Sequence, residues 1–188
     1  SEMCIRDSYI SQENRIKVAC IGNSITYGAG IKNRETNSYP AQLQKLLGNG
    51  YEVRNFGVSG ATMLKKGDKP YWKQKAMSEA INFSPDIVVI KLGTNDSKSH
   101  NWQYSSEYKK DYQAMIDTLK ALPSSPKIFV CLPAPAYDMK WKINDTVIRK
   151  EIIPTIKKLA KENKLSIVDL YKPLLNHPEY FPDKIHPD

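Results

Sequence analysis

Five short apolar runs rich in β-branched residues recur along the chain: IKVACIG (16–22), YEVRNFG (51–57), DIVVIKLG (86–93), KIFVCLP (127–133) and LSIVDLY (165–171). Segments of helical period lie between them, and this alternation predicts a parallel α/β sheet. The three central runs are almost continuously apolar, as strands covered by helices on both faces should be. In such open sheets ligands bind beyond the carboxyl ends of the strands. The polar stretches to examine are therefore GNSIT, GVSGAT, GTNDS, PAPAY and the C-terminal tail.

The helical segments can be read individually. SYPAQLQKLLGNG predicts a helix capped by Ser38, with Pro40 in its first turn, an inner stripe of Leu43, Leu46 and Leu47, and a stop at Gly48. In EYKKDYQAMIDTLKAL, residues Tyr108, Tyr112, Met115, Ile116 and Leu119 recur at helical spacing. A third helix, NDTVIRKEIIPTIKKLAKEN, carries Pro154, which should kink or divide it.

The length of 188 residues suits one domain with one substantial core. We expect residues 1–14 to be a disordered or non-native N-terminal segment and 15–188 to form the domain. No apolar stretch approaches the roughly 18 residues of a membrane span. Cys20 and Cys131 sit inside apolar runs and read as core residues. The net charge of +8 invites a nucleic-acid reading, but the lysines are scattered over predicted helices without an arginine cluster or stacked aromatics. A solvated basic surface accounts for them, and no nucleic-acid partner is expected.

Three strand ends carry the residues of interest: Gly22-Asn23-Ser24, Asn55 to Gly60, and Gly93-Thr94-Asn95-Asp96. Asp183 and His186 follow in FPDKIHPD. Acyl transfer needs a hydroxyl nucleophile, an imidazole to take its proton, a carboxylate to orient the ring and donors for the oxyanion. A D-x-x-H turn can bring the carboxylate against Nδ1 and leave Nε2 facing the serine. Taken alone, a serine placed like Ser24 is more often a helix cap than a nucleophile. Ser59 offers a rival nucleophile, since GVSGA is a near miss to the G-x-S-x-G elbow. A metal site from His177, His186, Asp183 and Asp188 lacks an H-x-x-x-H pair or a cysteine ligand. GNSITYGAG has no G-K-[ST] ending, which argues against nucleotide binding.

These blocks together resemble those of the SGNH hydrolases, also called GDSL-type esterases and lipases. GNS matches the G-D-S block with Ser24 as nucleophile, and NFGVSG matches N-x-x-x-S-G with Gly60 as a backbone oxyanion donor. GTND matches G-x-N-D with Asn95 as the side-chain donor, and DKIHP matches D-x-x-H-P with Asp183 and His186. The matches span residues 22 to 187 in the family's order. The resemblance implies a three-layer α/β/α sandwich around a flavodoxin-like, five-stranded parallel sheet. It also implies a serine esterase whose catalytic residues are Ser24, Asp183 and His186 and whose oxyanion hole is made by Ser24, Gly60 and Asn95, with neither metal nor cofactor.

Two departures stand out. Asn23 replaces the aspartate of G-D-S, and the sequence ends two residues beyond His186, where the family continues into a final helix; the domain at 15–188 is expected to lack that helix. The stretches around the blocks look like bacterial carbohydrate O-acetylesterases, so a small O-acetyl ester on a glycan is the expected substrate. A lysophospholipase or thioesterase is the alternative, and a catalytically silent glycan-binding protein a third. Trp72, Trp102 and Trp141 are candidates for stacking on a sugar or, equally, for ordinary packing. A glycan-degrading role would suit the periplasm or secretion if a leader has been lost, and the cytoplasm otherwise.

Overall fold

The computed structural model of the chain describes residues 14–23, 38–133 and 142–168. Its strands are β1 (Ile16–Gly22), β2 (Tyr51–Gly57), β3 (Ile87–Lys91), β4 (Lys127–Cys131) and β5 (Ser166–Val168). Its helices are α1 (Tyr39–Leu47), α2 (Lys75–Asn82), α3 (Ser99–Trp102), α4 (Tyr108–Lys120), α5 (Asp145–Val147) and α6 (Ile153–Asn163). Short 3-10 turns at Tyr71–Lys73, Asn95–Ser97 and Ser105–Glu107 connect them. The segment expected to be disordered or non-native lies outside the described residues, Asn14 excepted. No helix among the described residues is long and apolar enough to cross a membrane.

The sheet is wholly parallel, in the order β2-β1-β3-β4-β5. This is the flavodoxin-like arrangement expected from the sequence. Strand order reverses between β1 and β3, and at such a switch point the connections leave in opposite directions and open a crevice. β1 pairs with β2 through Gly22 opposite Gly57, and with β3 through Gly22 opposite Lys91, so three strand ends finish level with one another.

Alternate residues divide the sheet into two faces, as the two-residue period of a strand requires. Ala19, Ile21, Val88, Ile90, Ile128 and Val130 pack with α2, α4 and α6 through residues such as Met77, Met115, Ile116 and Ile156. Val18, Cys20, Ile87, Val89, Phe129 and Cys131 pack with Leu43 and Leu47 of α1. Both cysteines are buried core thiols, and burial pushes Cys20 up to about 12.

The α1 stripe is narrower than its sequence suggests. Leu43 and Leu47 are 2% and 8% exposed, whereas Leu46 is 36% exposed. Residues i and i+4 share a helical face, and Leu46 sits about 100° away from Leu47 toward solvent. Ser38 stands at the N-cap with extended backbone, but its side chain makes no cap hydrogen bond. Tyr108, Tyr112, Met115, Ile116 and Leu119 of α4 are all buried as their spacing predicts.

Pro154 does divide the third helical stretch, although without a break in the chain's path. α5 runs into a π turn at Ile148–Ile152, and Pro154 then sits in the first turn of α6. A proline cannot donate to the carbonyl four residues back, and the wider turn ahead of it relieves that requirement. Ile148 and Ile152 stay buried, so the apolar face survives the change of pitch.

Candidate active site

β1 leads directly into Asn23, which is 1% exposed at the switch point. Ser24 lies outside the described residues, as do Trp141, His177, Asp183, His186 and Asp188. The geometry that can be built from residues upward is that of the second and third blocks.

The second block is a tight turn grown from the end of β2. The Asn55 side chain accepts from Gly57 N at 2.8 Å, and Val58 N donates to Gly22 O at 2.9 Å, which carries the β1–β2 ladder one step past the strands. Ala61 N then closes back on Val58 O at 3.2 Å. Gly60 holds the third position of this turn with φ of 81°. That left-handed conformation is the one a type II turn requires and the one glycine adopts without steric cost. Ser59 occupies the position before it. A nucleophile elbow passes from strand through serine straight into a helix. Here the next helical residues are Tyr71–Lys73, so Ser59 does not stand on an elbow.

The third block begins at Gly93, whose φ is 149°. A Cβ there would lie 3.0 Å from both Ile152 Cγ2 and Tyr108 Oη and 3.2 Å from Pro133. The backbone conformation and the crowding both demand glycine, and the chain can then enter the turn at Asn95–Ser97 directly from β3. Asn95 is 5% exposed. Its Nδ2 donates to Ala61 O at 3.2 Å, and its own carbonyl accepts from Asn101 Nδ2 at 2.9 Å. Asn95 is thereby fastened to the residue that follows Gly60, and the two sequence blocks meet.

Asp96 plays a part that its place beside Asn95 does not announce. Fully buried, it accepts from Met63 N at 3.1 Å and Leu64 N at 2.8 Å. Burial pushes its carboxyl up to about 7, against the backbone N–H groups that pull it down. Two more side chains hold the same loop. Asp111 of α4 accepts from Lys65 N at 2.8 Å, and Asn101 of α3 accepts from Asp68 N at 2.8 Å. The loop from Ala61 to Pro70 is thus anchored by side chains from elements more than thirty residues away, Asn95, Asp96, Asn101 and Asp111 among them. Asp111 and Asn101 carry no motif of their own; for Asp111, a polar residue on the apolar face of α4 beside Tyr108 and Tyr112 was the available signal.

Trp72 and Trp102 are half-buried and pack against the core beneath α2 and α4. Trp72 Nε1 donates to Met63 O at 3.1 Å, and the Lys65 ammonium lies 4.5 Å from its ring. Trp102 meets Tyr108 edge-on with centroids 5.4 Å apart. His100 is exposed, and its Nε2 is 2.8 Å from Asp68 Oδ2 on the outer side of the loop. Hydrogen bonds from His100 and Asn101 outweigh partial desolvation and hold the Asp68 carboxyl below its usual range.

A family model described as GDSL-like Lipase/Acylhydrolase matches residues 20–188. An acetylxylan esterase from Xylanibacter ruminicola is 49% identical over 195 residues, which cover 94% of this chain and 41% of that protein. The chain therefore spans about two fifths of the length of that relative. Among solved structures, a GDSL-like lipase from Bacteroides thetaiotaomicron superposes with a TM-score of 0.61 at 26% identity, covering 97% of this chain and 88% of that one. A carbohydrate acetylesterase from Sinorhizobium meliloti gives a TM-score of 0.66 at 19% identity over 82% of this chain and 84% of that one, a likeness of fold.

Proposed function

The chain belongs to the GDSL-like lipase/acylhydrolase family, and from that membership we propose that it hydrolyses small O-acyl esters, O-acetyl groups on carbohydrate first among them, through an acyl-enzyme on Ser24. The observation that supports the reading is the bond from Asn95 to Ala61, which holds an amide side chain beside the Gly60 turn, where the segments leaving β2 and β3 meet. The identity to an acetylxylan esterase supports acetyl as the acyl group and a glycan as its carrier.

In this mechanism Asp183 orients His186, and His186 takes the proton of Ser24 Oγ as that oxygen attacks the ester carbonyl. The carbonyl π pair moves onto oxygen. The resulting oxyanion accepts from Ser24 N–H, from Gly60 N–H and from Asn95 Nδ2, whose second hydrogen is available once the first is given to Ala61. Collapse breaks the bond to the alcohol, which leaves with the proton from His186. Water then repeats the sequence on the acyl-serine and releases acetate. A donor fixed before the reaction begins is worth more than one that must reorganise, and the anchoring of the Ala61–Pro70 loop supplies that fixity.

The test compares p-nitrophenyl acetate with longer acyl esters and follows acetate release from acetylated xylan, with Ser24→Ala as control. Acetate preference lost in Ser24→Ala supports the proposal. Preference for long acyl chains would turn the reading toward a lysophospholipase or thioesterase. A folded protein without turnover that retains glycan would make it a binding protein.

A further inference from the structure

Lys69 reaches back across the turn that carries Gly60. Its Nζ donates to Ser59 O at 2.8 Å, and its Cδ lies 3.5 Å from where a Cβ on Gly60 would stand. The backbone of Lys69 is itself held, because Thr62 N donates to Lys69 O at 2.9 Å and Thr62 pairs with Pro70. The lysine is thus delivered to the turn by the same anchored loop.

The carbonyl it binds belongs to the Ser59–Gly60 peptide, the unit whose N–H is Gly60's. In a trans peptide the C=O and N–H point in opposite directions. A cation on the oxygen draws electron density away from the nitrogen end and strengthens that N–H as a donor, in the way successive hydrogen bonds polarise one another. It also stops the peptide plane from rotating, which a type II turn otherwise permits at modest cost. We infer that Lys69 is a positioning residue of the oxyanion hole, which orients and polarises the Ser59–Gly60 peptide so that Gly60 N–H meets the developing oxyanion. The inference rests on the reading of Gly60 as an oxyanion donor.

An exposed lysine bonded to a surface carbonyl contributes little to stability. A role confined to structure would therefore leave turnover unchanged, whereas the positioning role appears in kcat. The experiment measures kcat and KM on p-nitrophenyl acetate for the parent, Lys69→Met, Lys69→Arg and Ser24→Ala, with the Gly60 amide nitrogen chemical shift as a second readout. Lys69→Met should lower kcat by roughly threefold to tenfold, short of the roughly hundredfold cost of removing an oxyanion donor outright. KM should stay within about twofold, because the interaction strengthens as charge develops. Lys69→Arg should restore most of the loss, and the Gly60 resonance should move in Lys69→Met and return in Lys69→Arg. An unchanged kcat in Lys69→Met beside an active, Ser24-dependent parent overturns the inference and leaves the esterase reading standing. An unmoved Gly60 resonance also overturns it. A parent without Ser24-dependent turnover overturns both.

Discussion

The side-chain amide of Asn95 donates to the carbonyl of Ala61 at 3.2 Å, a hydrogen bond that joins the turn after β2 to the turn after β3. Asn95→Ala removes the proposed oxyanion donor and this tie together. We expect kcat to fall on the order of a hundredfold to a thousandfold, with circular dichroism unchanged. Asn95→Asp preserves the volume but presents acceptors to an oxyanion, and it should do no better. Turnover in Asn95→Ala within a few fold of the parent would remove Asn95 from the site.

Gly60, in the turn after β2, and Gly67, in the anchored loop, should fail in different ways. A Cβ on Gly67 would clash with Thr62 Oγ1 and lie 2.9 Å from Thr62 Cβ and Cγ2. Thr62 is fully buried, and its hydroxyl is engaged with Leu64 O at 2.8 Å, so it has nowhere to retreat. Gly67→Ala should destabilise by about 1–3 kcal/mol through overpacking. Gly60 has room for a methyl, but its φ of 81° strains any L side chain by about 1–2 kcal/mol. Gly60→Ala should lose kcat out of proportion to its stability, as the peptide turns to relieve that strain. Urea titrations and turnover measured on both variants decide the matter, and full kcat in Gly60→Ala would contradict it.

How far the sequence reaches can be judged residue by residue. The strands and the α4 face were legible because their signals are local: an apolar run, or Tyr108, Tyr112 and Met115 on one helical stripe. The need for glycine at position 93 was visible only as a motif letter. Its physical cause is the crowding by Ile152 and Tyr108, which the chain brings there from other elements. Asp96 could be placed beside Asn95 but not given a role, since its partners Met63 and Leu64 lie more than thirty residues earlier. Leu46 misled for a simpler reason: leucine at a near-helical spacing reads as core even on the flank of the stripe. Long-range polar contacts leave no periodic trace.

Asn101 ties the turn that carries Asn95 to the loop from Ala61 to Pro70. Its amide donates to Asn95 O at 2.9 Å and to Asp68 Oδ1 at 3.1 Å, and its carbonyl accepts from Asp68 N at 2.8 Å. Asn101→Ala strands the Asp68 N–H, while the Asn95 carbonyl keeps the bond from Lys98 N at 3.3 Å, and leaving such an N–H unsatisfied costs about 1–3 kcal/mol. We expect a loss of about 1 kcal/mol in urea unfolding, at the low end of that range because the Asp68 N–H is only part-buried. Faster hydrogen exchange at Asp68 should accompany it. Unchanged exchange there would show that the bond does not hold the loop.

The burial of Asp96 carries a pH signature. Its carboxyl has an ordinary value of 3.8 and is pushed up to about 7 in the fold, first by desolvation. The folded state therefore favours the protonated form. The associated stabilisation is complete below 3.8 and is lost as pH rises through about 7. At about 1.4 kcal/mol per unit, the change is on the order of 4 kcal/mol at most. Asp96→Asn cannot ionise, and its amide must turn away an N–H from either Met63 or Leu64. The variant should be less stable than the parent at acid pH, and the gap should narrow toward neutrality as the parent's carboxyl ionises. Denaturant titrations of both proteins across this range test the sign. Parallel pH profiles would mean that Asp96 keeps one protonation state throughout, with Met63 and Leu64 N–H holding it as a carboxylate.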